Sequence, residues 1–154
     1  MINNFIQWGL DRDLYNNSTR EKQILKYLEE KGELAKAVGK NDKKLVMDAI
    51  GDMIVCLSHV AYYERVFDDQ SMEVFKYNIH SHTDYKNTVV DCVIKIDDAT
   101  EILAKGLATT EITDPLKCIA KNFDTTLFEC MEHAWSEIKD RKGKFINGLF
   151  VKEK

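Results

Sequence analysis

Asp42-Lys43-Lys44-Leu45-Val46-Met47-Asp48-Ala49-Ile50-Gly51-Asp52-Met53-Ile54-Val55-Cys56-Leu57-Ser58-His59-Val60-Ala61 is the stretch that decides the fold. Leu45, Val46, Ala49, Ile50, Met53, Ile54, Leu57 and Ala61 recur at three- and four-residue steps, which lines them up along one side of an α-helix. That stripe is broad enough to bury most of the helix, and it runs on towards Val66. Asp42 stands where an N-cap belongs. A long core helix needs neighbours to cover it.

Helical periodicity supplies them. Ser18 and Glu21 have the spacing of a capping box, and Ile24, Leu28, Ala35 and Val38 continue a helix from Thr19 to Val38, stopped at Gly39. Ahead of it, Phe5, Trp8, Gly9 and Leu10 lead into the polar stretch Asn16-Asn17-Ser18-Thr19 without a defined element. Between Phe67 and Asp84 the period fades, which predicts a connection with a short helical turn around Met72 to Phe75. Val89, Val93, Ile96, Leu103 and Leu107 keep a helical stripe despite β-branched residues between Thr88 and Ile96. Asp114-Pro115 reads as a cap and first-turn proline, opening one long helix through Leu116, Ile119, Phe123, Leu127, Cys130, Met131, Ala134 and Ile138. Gly143 closes that helix. Lys144 to Lys154 is then a tail whose Phe145, Ile146, Leu149, Phe150 and Val151 need an apolar surface. The expectation is one all-α domain over 1–154, a bundle of four main helices with a C-terminal tail.

Composition narrows the function. The 154 residues are 44% hydrophobic with one proline, enough for a single packed core. The longest uninterrupted apolar run, Met53 to Leu57, falls far short of the roughly 20 residues that span a bilayer. The N-terminal residues lack secretory and transit patterns, so a cytoplasmic location without membrane attachment is expected. Twenty-two Lys and Arg against 26 Asp and Glu give a net charge of −4, the wrong sign for binding a nucleic-acid polymer. Cys56, Cys92, Cys118 and Cys130 are spaced too widely for a zinc site and read as buried free thiols. No GxxxxGK[ST] loop is present, so any phosphate must be held by side chains and metal.

Five carboxylates carry the chemistry: Glu29, Glu30 and Glu33 on one helix, Asp48 and Asp52 on the next. Spacings of three and four put Glu30 with Glu33, and Asp48 with Asp52, in one sector of each helix. The first group by itself also reads as a solvated face paired with Lys26, Lys36 or Lys40. Asp48 and Asp52, however, flank Ala49 and Ile50 on the core helix, where unpaired carboxylates repel and lose hydration. An all-oxygen donor set favours Mg²⁺, with Mn²⁺ as a substitute, and an octahedral ion keeps positions for water and phosphate oxygens. Gly51 lowers helix propensity by about 1 kcal/mol against alanine, which points to a close helix approach there.

At Glu29-Glu30-Lys31-Gly32-Glu33 the sequence resembles the MazG-like nucleotide pyrophosphohydrolases, whose first motif is two Glu, two spacers and a third Glu. The second motif departs from the family's pattern, with Ala49 at the place of its Glu and the acid one residue earlier, at Asp48. Trp8, Arg12, Gln23, Lys26 and the run Glu137 to Lys144 extend the likeness to phage-type members. The resemblance implies an all-α fold and hydrolysis of a nucleoside triphosphate, ribo or deoxy, to the monophosphate and pyrophosphate, in nucleotide pool control. It implies Mg²⁺ held by Glu30, Glu33, Asp48 and Asp52, with Glu29 as candidate base. It places Trp8, Gln23, Lys26, Arg141 and Lys144 at the substrate, and implies a homodimer or homotetramer. Broad apolar stripes on the helices also point to self-association. Trp135 reads as core, and His80 and His82 as surface loop residues. A nucleoside diphosphate or signalling nucleotide as substrate, or a non-catalytic helical interaction module, are the alternatives.

Overall fold

The computed structural model describes residues 1–64, 69–82, 86–104 and 110–153. Its centre is a pair of long helices, α3 (Arg20–Gly39) and α4 (Lys43–Glu64), following the short α1 (Ile2–Asp11) and α2 (Leu14–Asn17). Thr19, not Ser18, caps α3 by accepting from the Lys22 backbone N–H at 3.3 Å. Ser18 Oγ instead accepts from the Gln23 side chain at 3.1 Å, so the expected Ser18–Glu21 box is replaced by a cap one residue later. Asp42 caps α4 through its carboxylate and the Leu45 N–H, 3.2 Å. Only three residues link α3 to α4, and the two helices lie in extensive contact along their length. They therefore form an antiparallel hairpin.

By length and composition α4 could cross a membrane, with a mean hydropathy of 1.5 over 18 residues, yet most of it is buried against the other elements. One wall of that burial is α8 (Leu127–Ile138). Gly51 makes the approach possible: a Cβ there would stand 2.5 Å from the Cys130 carbonyl oxygen and 2.8 Å from Ala134 Cβ. Phe5 and Trp8 of α1 join the same core. The outer layer comprises α5 (Asp69–His80), α6 (Val89–Ala104) and α7 (Thr110–Asn122). Each of them buries one apolar face: Met72, Phe75 and Ile79 on α5, Cys92, Ile96, Ala99 and Leu103 on α6, Leu116 and Ile119 on α7. All four cysteines are buried and free.

Several sequence expectations are corrected. The described residues hold eight helices and a two-stranded hairpin, mostly helical but more divided than four main helices. Residues 69–80 are a full helix in place of a single turn, while His80 and His82 are exposed. The expected helix ending near Leu107 is described to Ala104, and Leu107 lies outside the described residues. The single helix from Asp114 to Ile138 is two. Asp124 takes a left-handed φ of 52°, and Thr126 with Glu129 forms a capping box that restarts the chain as α8. Pro115 sits inside α7, whose first turn begins at Thr110, five residues earlier than the sequence indicated.

The tail is ordered as a β-hairpin, β1 (Gly143–Ile146) and β2 (Leu149–Lys152), in antiparallel register with Phe145 opposite Phe150. Asn147 at φ 52° and Gly148 at φ 84° make the two-residue turn, a conformation that Asn-Gly adopts readily. Phe145 and Phe150 rest on Trp8, with ring centroids 6.0 and 5.6 Å away. Arg12 fastens the hairpin: its guanidinium donates to the Arg141 carbonyl at 2.7 and 2.9 Å and its own carbonyl accepts from Phe145 N–H at 2.9 Å.

Candidate functional site

A groove between α3 and α4, walled on one side by the hairpin and open to solvent, has a volume of about 570 Å³. Its walls follow from helix geometry. On α4, Asp52, Val55, Cys56 and His59 recur at three- and four-residue steps and face the cavity, as Gln23, Lys26 and Glu30 do on α3. Because the helices are antiparallel, Glu30 lies level with Asp52 and Gln23 level with His59. The cavity therefore changes character along its length. Glu29, Glu30, Lys26, Asp52 and Arg141 make one region polar, while Trp8, Leu14, Phe145, Phe150 and His59 make the other largely aromatic.

In the polar region Glu30 is only 3% exposed. Burial holds its carboxyl above the ordinary range, and the Lys26 ammonium, 2.7 Å away, pulls the other way without fully offsetting it. Lys26 also pairs with Glu29 at 2.9 Å, and although its own burial acts to lower its pKa, these two partners raise it. Asp52 is pushed up to about 7, first by burial and then by the negative charges of Glu30 and Asp48; Arg141 and Lys26 oppose this weakly. Two carboxylates that each resist ionisation, facing one cavity, form an electrostatic arrangement that a divalent cation relieves. Oxygen donors alone fit Mg²⁺ chemistry, and Glu30 and Asp52 are the residues best placed for it.

The remaining expected ligands divide. Glu33 is exposed and does not line the cavity, though its charge acts on both Glu30 and Asp48. Asp48 lies one turn from Asp52 but approaches α8, with His133 Nε2 3.6 Å from its carboxylate and the Glu137 carboxylate 3.9 Å from the same nitrogen. Burial and the Glu137 charge raise the Asp48 carboxyl. One donor atom each from Asp48, His133 and Glu137 lies within 4.8 Å of the others, so these three could also hold an ion. Nothing in the sequence pattern pointed to His133, because it lies 85 residues from Asp48 on a helix whose apolar face alone was readable.

The expected substrate residues are also sorted. Gln23, Lys26 and Arg141 line the cavity, and Glu29 stands exposed at its edge. Arg141 pairs loosely with Glu137 at 3.6 Å. Lys144 is exposed on β1 and does not line this cavity. Trp8 is 7% exposed and spends its indole N–H on the Ile138 carbonyl at 2.8 Å, so it is wall and core together. Trp135 is half-buried and packs edge-on to Phe5, as expected of a core residue. Lys22, reaching the Asn147 carbonyl at 2.9 Å, was not anticipated and ties α3 to the hairpin turn.

No family model matches the chain. It is similar to an uncharacterized 18.2 kDa protein in the rep-hol intergenic region of Haemophilus phage HP1 (strain HP1c1), at 39% identity over 66 residues. That stretch covers 43% of this chain and 40% of the phage protein. No solved structure matches. The likeness to a phage protein agrees with the phage-type character of the sequence pattern and assigns no activity.

Proposed function

We propose that the chain is a Mg²⁺-dependent nucleoside triphosphate pyrophosphohydrolase. One observation carries the proposal: a single cavity has carboxylates and cations along one part and aromatic rings along the other, the division of a nucleotide into charged phosphates and a flat base. The MazG-like acidic motif on α3 supports it from the sequence side.

Glu30 and Asp52 would hold the ion, with Glu33 and Asp48 next to them. Bound there, Mg²⁺ supplies charge neutralisation to the leaving pyrophosphate and polarises the phosphate under attack. Arg141 offers its guanidinium to phosphate oxygens at the cavity edge. Water attacks the α phosphorus, the bond from that phosphorus to the α–β bridging oxygen breaks, and pyrophosphate leaves with the bridging oxygen. Glu29, exposed and beside Lys26, accepts the proton from the water. Phe145 and Phe150 keep bulk solvent off the apolar part of the cavity.

The proposal is tested with a panel of ribo- and deoxynucleoside triphosphates in Mg²⁺. Turnover of at least one, lost in Glu30→Gln and Asp52→Asn proteins that remain folded, is the expected outcome. No turnover across the panel at micromolar protein, or full turnover in both variants, overturns it.

A further inference from the structure

His59 is 2% exposed, lines the cavity, and has no hydrogen-bond partner for Nε2 among the described residues. Its other ring nitrogen is engaged, with Tyr15 Oη 2.8 Å from Nδ1. A polar atom left unmatched in so enclosed a place is destabilising unless something pairs with it. The surroundings are built to keep the ring there. A Cβ at Gly9 would come within 2.9 Å of His59 Cε1, and Tyr15 stacks edge-on against the imidazole at 5.7 Å.

Which way the ring is protonated follows from the chemistry of its partner. Between a phenol and a neutral imidazole, the phenol is the stronger acid and the imidazole nitrogen the stronger base. Tyr15 therefore donates to Nδ1, and Nε2 carries the hydrogen. Burial pushes His59 down to about 3, so the ring stays neutral and keeps one donor and one acceptor across the physiological range. Seven residues separate His59 from Asp52, about 10.5 Å along a helix rising 1.5 Å per residue. That distance suits a nucleoside unit reaching from its α phosphate to the far edge of its base.

We infer that His59 Nε2–H is a specificity-determining donor, reading a ring carbonyl on the base, so that the site prefers oxo-edged to amino-edged bases. Tyr15 is a positioning residue that fixes the tautomer. The inference rests on the nucleotide reading of the cavity and adds to it which edge of the base is recognised. An amino-edged base would set its N–H against Nε2–H, two donors with no acceptor, a mismatch of the kind by which buried polar sites discriminate strongly.

The test uses binding without turnover: calorimetry of the whole protein with dUMP against dCMP and dGMP against dAMP, with inorganic triphosphate alongside. The oxo member of at least one pair is expected to bind tenfold or more tighter than its amino partner, with the ratio falling below about threefold in His59→Phe and shrinking in Tyr15→Phe. Since His59 is buried and His59→Phe stands to lose the fold, nitrogen-resolved NMR of the wild-type ring gives an independent readout. It should show Nε2 protonated and its resonance moving on dUMP or dGMP addition. Equal binding within both pairs, a ratio unchanged in His59→Phe, or a ring protonated on Nδ1 overturns the inference and leaves the hydrolase proposal standing. Inorganic triphosphate binding as tightly as every nucleotide, with no triphosphate hydrolysed, overturns both.

Discussion

Asp52→Asn is expected to stabilise the protein at alkaline pH and to remove its response to Mg²⁺. The folded-state carboxyl titrates at about 7 against 3.8 for the ordinary side chain. Between those values the folded state binds a proton that the unfolded state has lost, so stability falls as pH rises from about 4 to about 7, opposite to the usual behaviour of an aspartate. At 1.36 kcal/mol per pH unit the full difference corresponds to about 4 kcal/mol. Water reaching Asp52 through the cavity lowers this, and about 2 kcal/mol is a reasonable expectation at pH 8. For a chain of this length that is roughly 4–8 °C in Tm. Thermal unfolding in EDTA at pH 5 and pH 8 should show the wild type losing several degrees more than the variant over that interval. Adding Mg²⁺ at pH 8 should return those degrees to the wild type and leave the variant unmoved, because ligation favours the ionised carboxylate. If the two proteins have parallel pH profiles in EDTA and equal Mg²⁺ shifts, Asp52 is neither electrostatically strained nor a ligand.

Further expectations follow from other contacts. Asp48→Ala should weaken the Mg²⁺-induced Tm shift without abolishing it, since Asp48 lies next to Asp52 but also faces His133; an undiminished shift at limiting Mg²⁺ excludes it as a ligand. Gly51→Ala forces a Cβ into the Cys130 carbonyl and should cost about 1–3 kcal/mol, read as a lowered denaturation midpoint. The His59 ring should show no NMR titration between pH 5 and 8, and acid unfolding should steepen below about pH 6.5, where only the unfolded state takes up its proton. Sedimentation at micromolar concentration should show a dimer or larger assembly. Val90 and Ile94, one turn apart on α6, are exposed apolar residues, and Ile94→Glu should shift the assembly towards monomer if that face is the interface.

The two long helices were legible because a 20-residue apolar period leaves little choice of structure, and the acidic pairs could be placed on them for the same reason. The division at Asp124 was hidden by that same signal: Ile119, Phe123, Leu127 and Cys130 keep step across the turn, so periodicity overrode the Thr126–Glu129 capping box that was there to be read. Asn147-Gly148 between Phe145 and Phe150 is likewise a strong hairpin pattern, lost by reading the tail only for its apolar content. The segment over α5 shows Met72, Phe75 and Ile79 at helical steps, but its polar flanks dominate the window. Site residues contributed by distant elements were another matter. His133 meets Asp48, and Tyr15 meets His59, only through helix packing, which no local pattern encodes. Lys144 lies off the cavity wall because the strand alternation of β1 turns it away from the side on which Phe145 lines the cavity.

The most direct measurement is the phosphorus NMR spectrum of the reaction products, taken with the nucleoside triphosphate that the protein turns over fastest in Mg²⁺. Cleavage between the α and β phosphorus gives nucleoside monophosphate and pyrophosphate in equal amounts, with an ¹⁸O label from solvent water appearing on the monophosphate. Orthophosphate with nucleoside diphosphate, or label on the pyrophosphate, would contradict attack at the α phosphorus and with it the role given to Glu30 and Asp52.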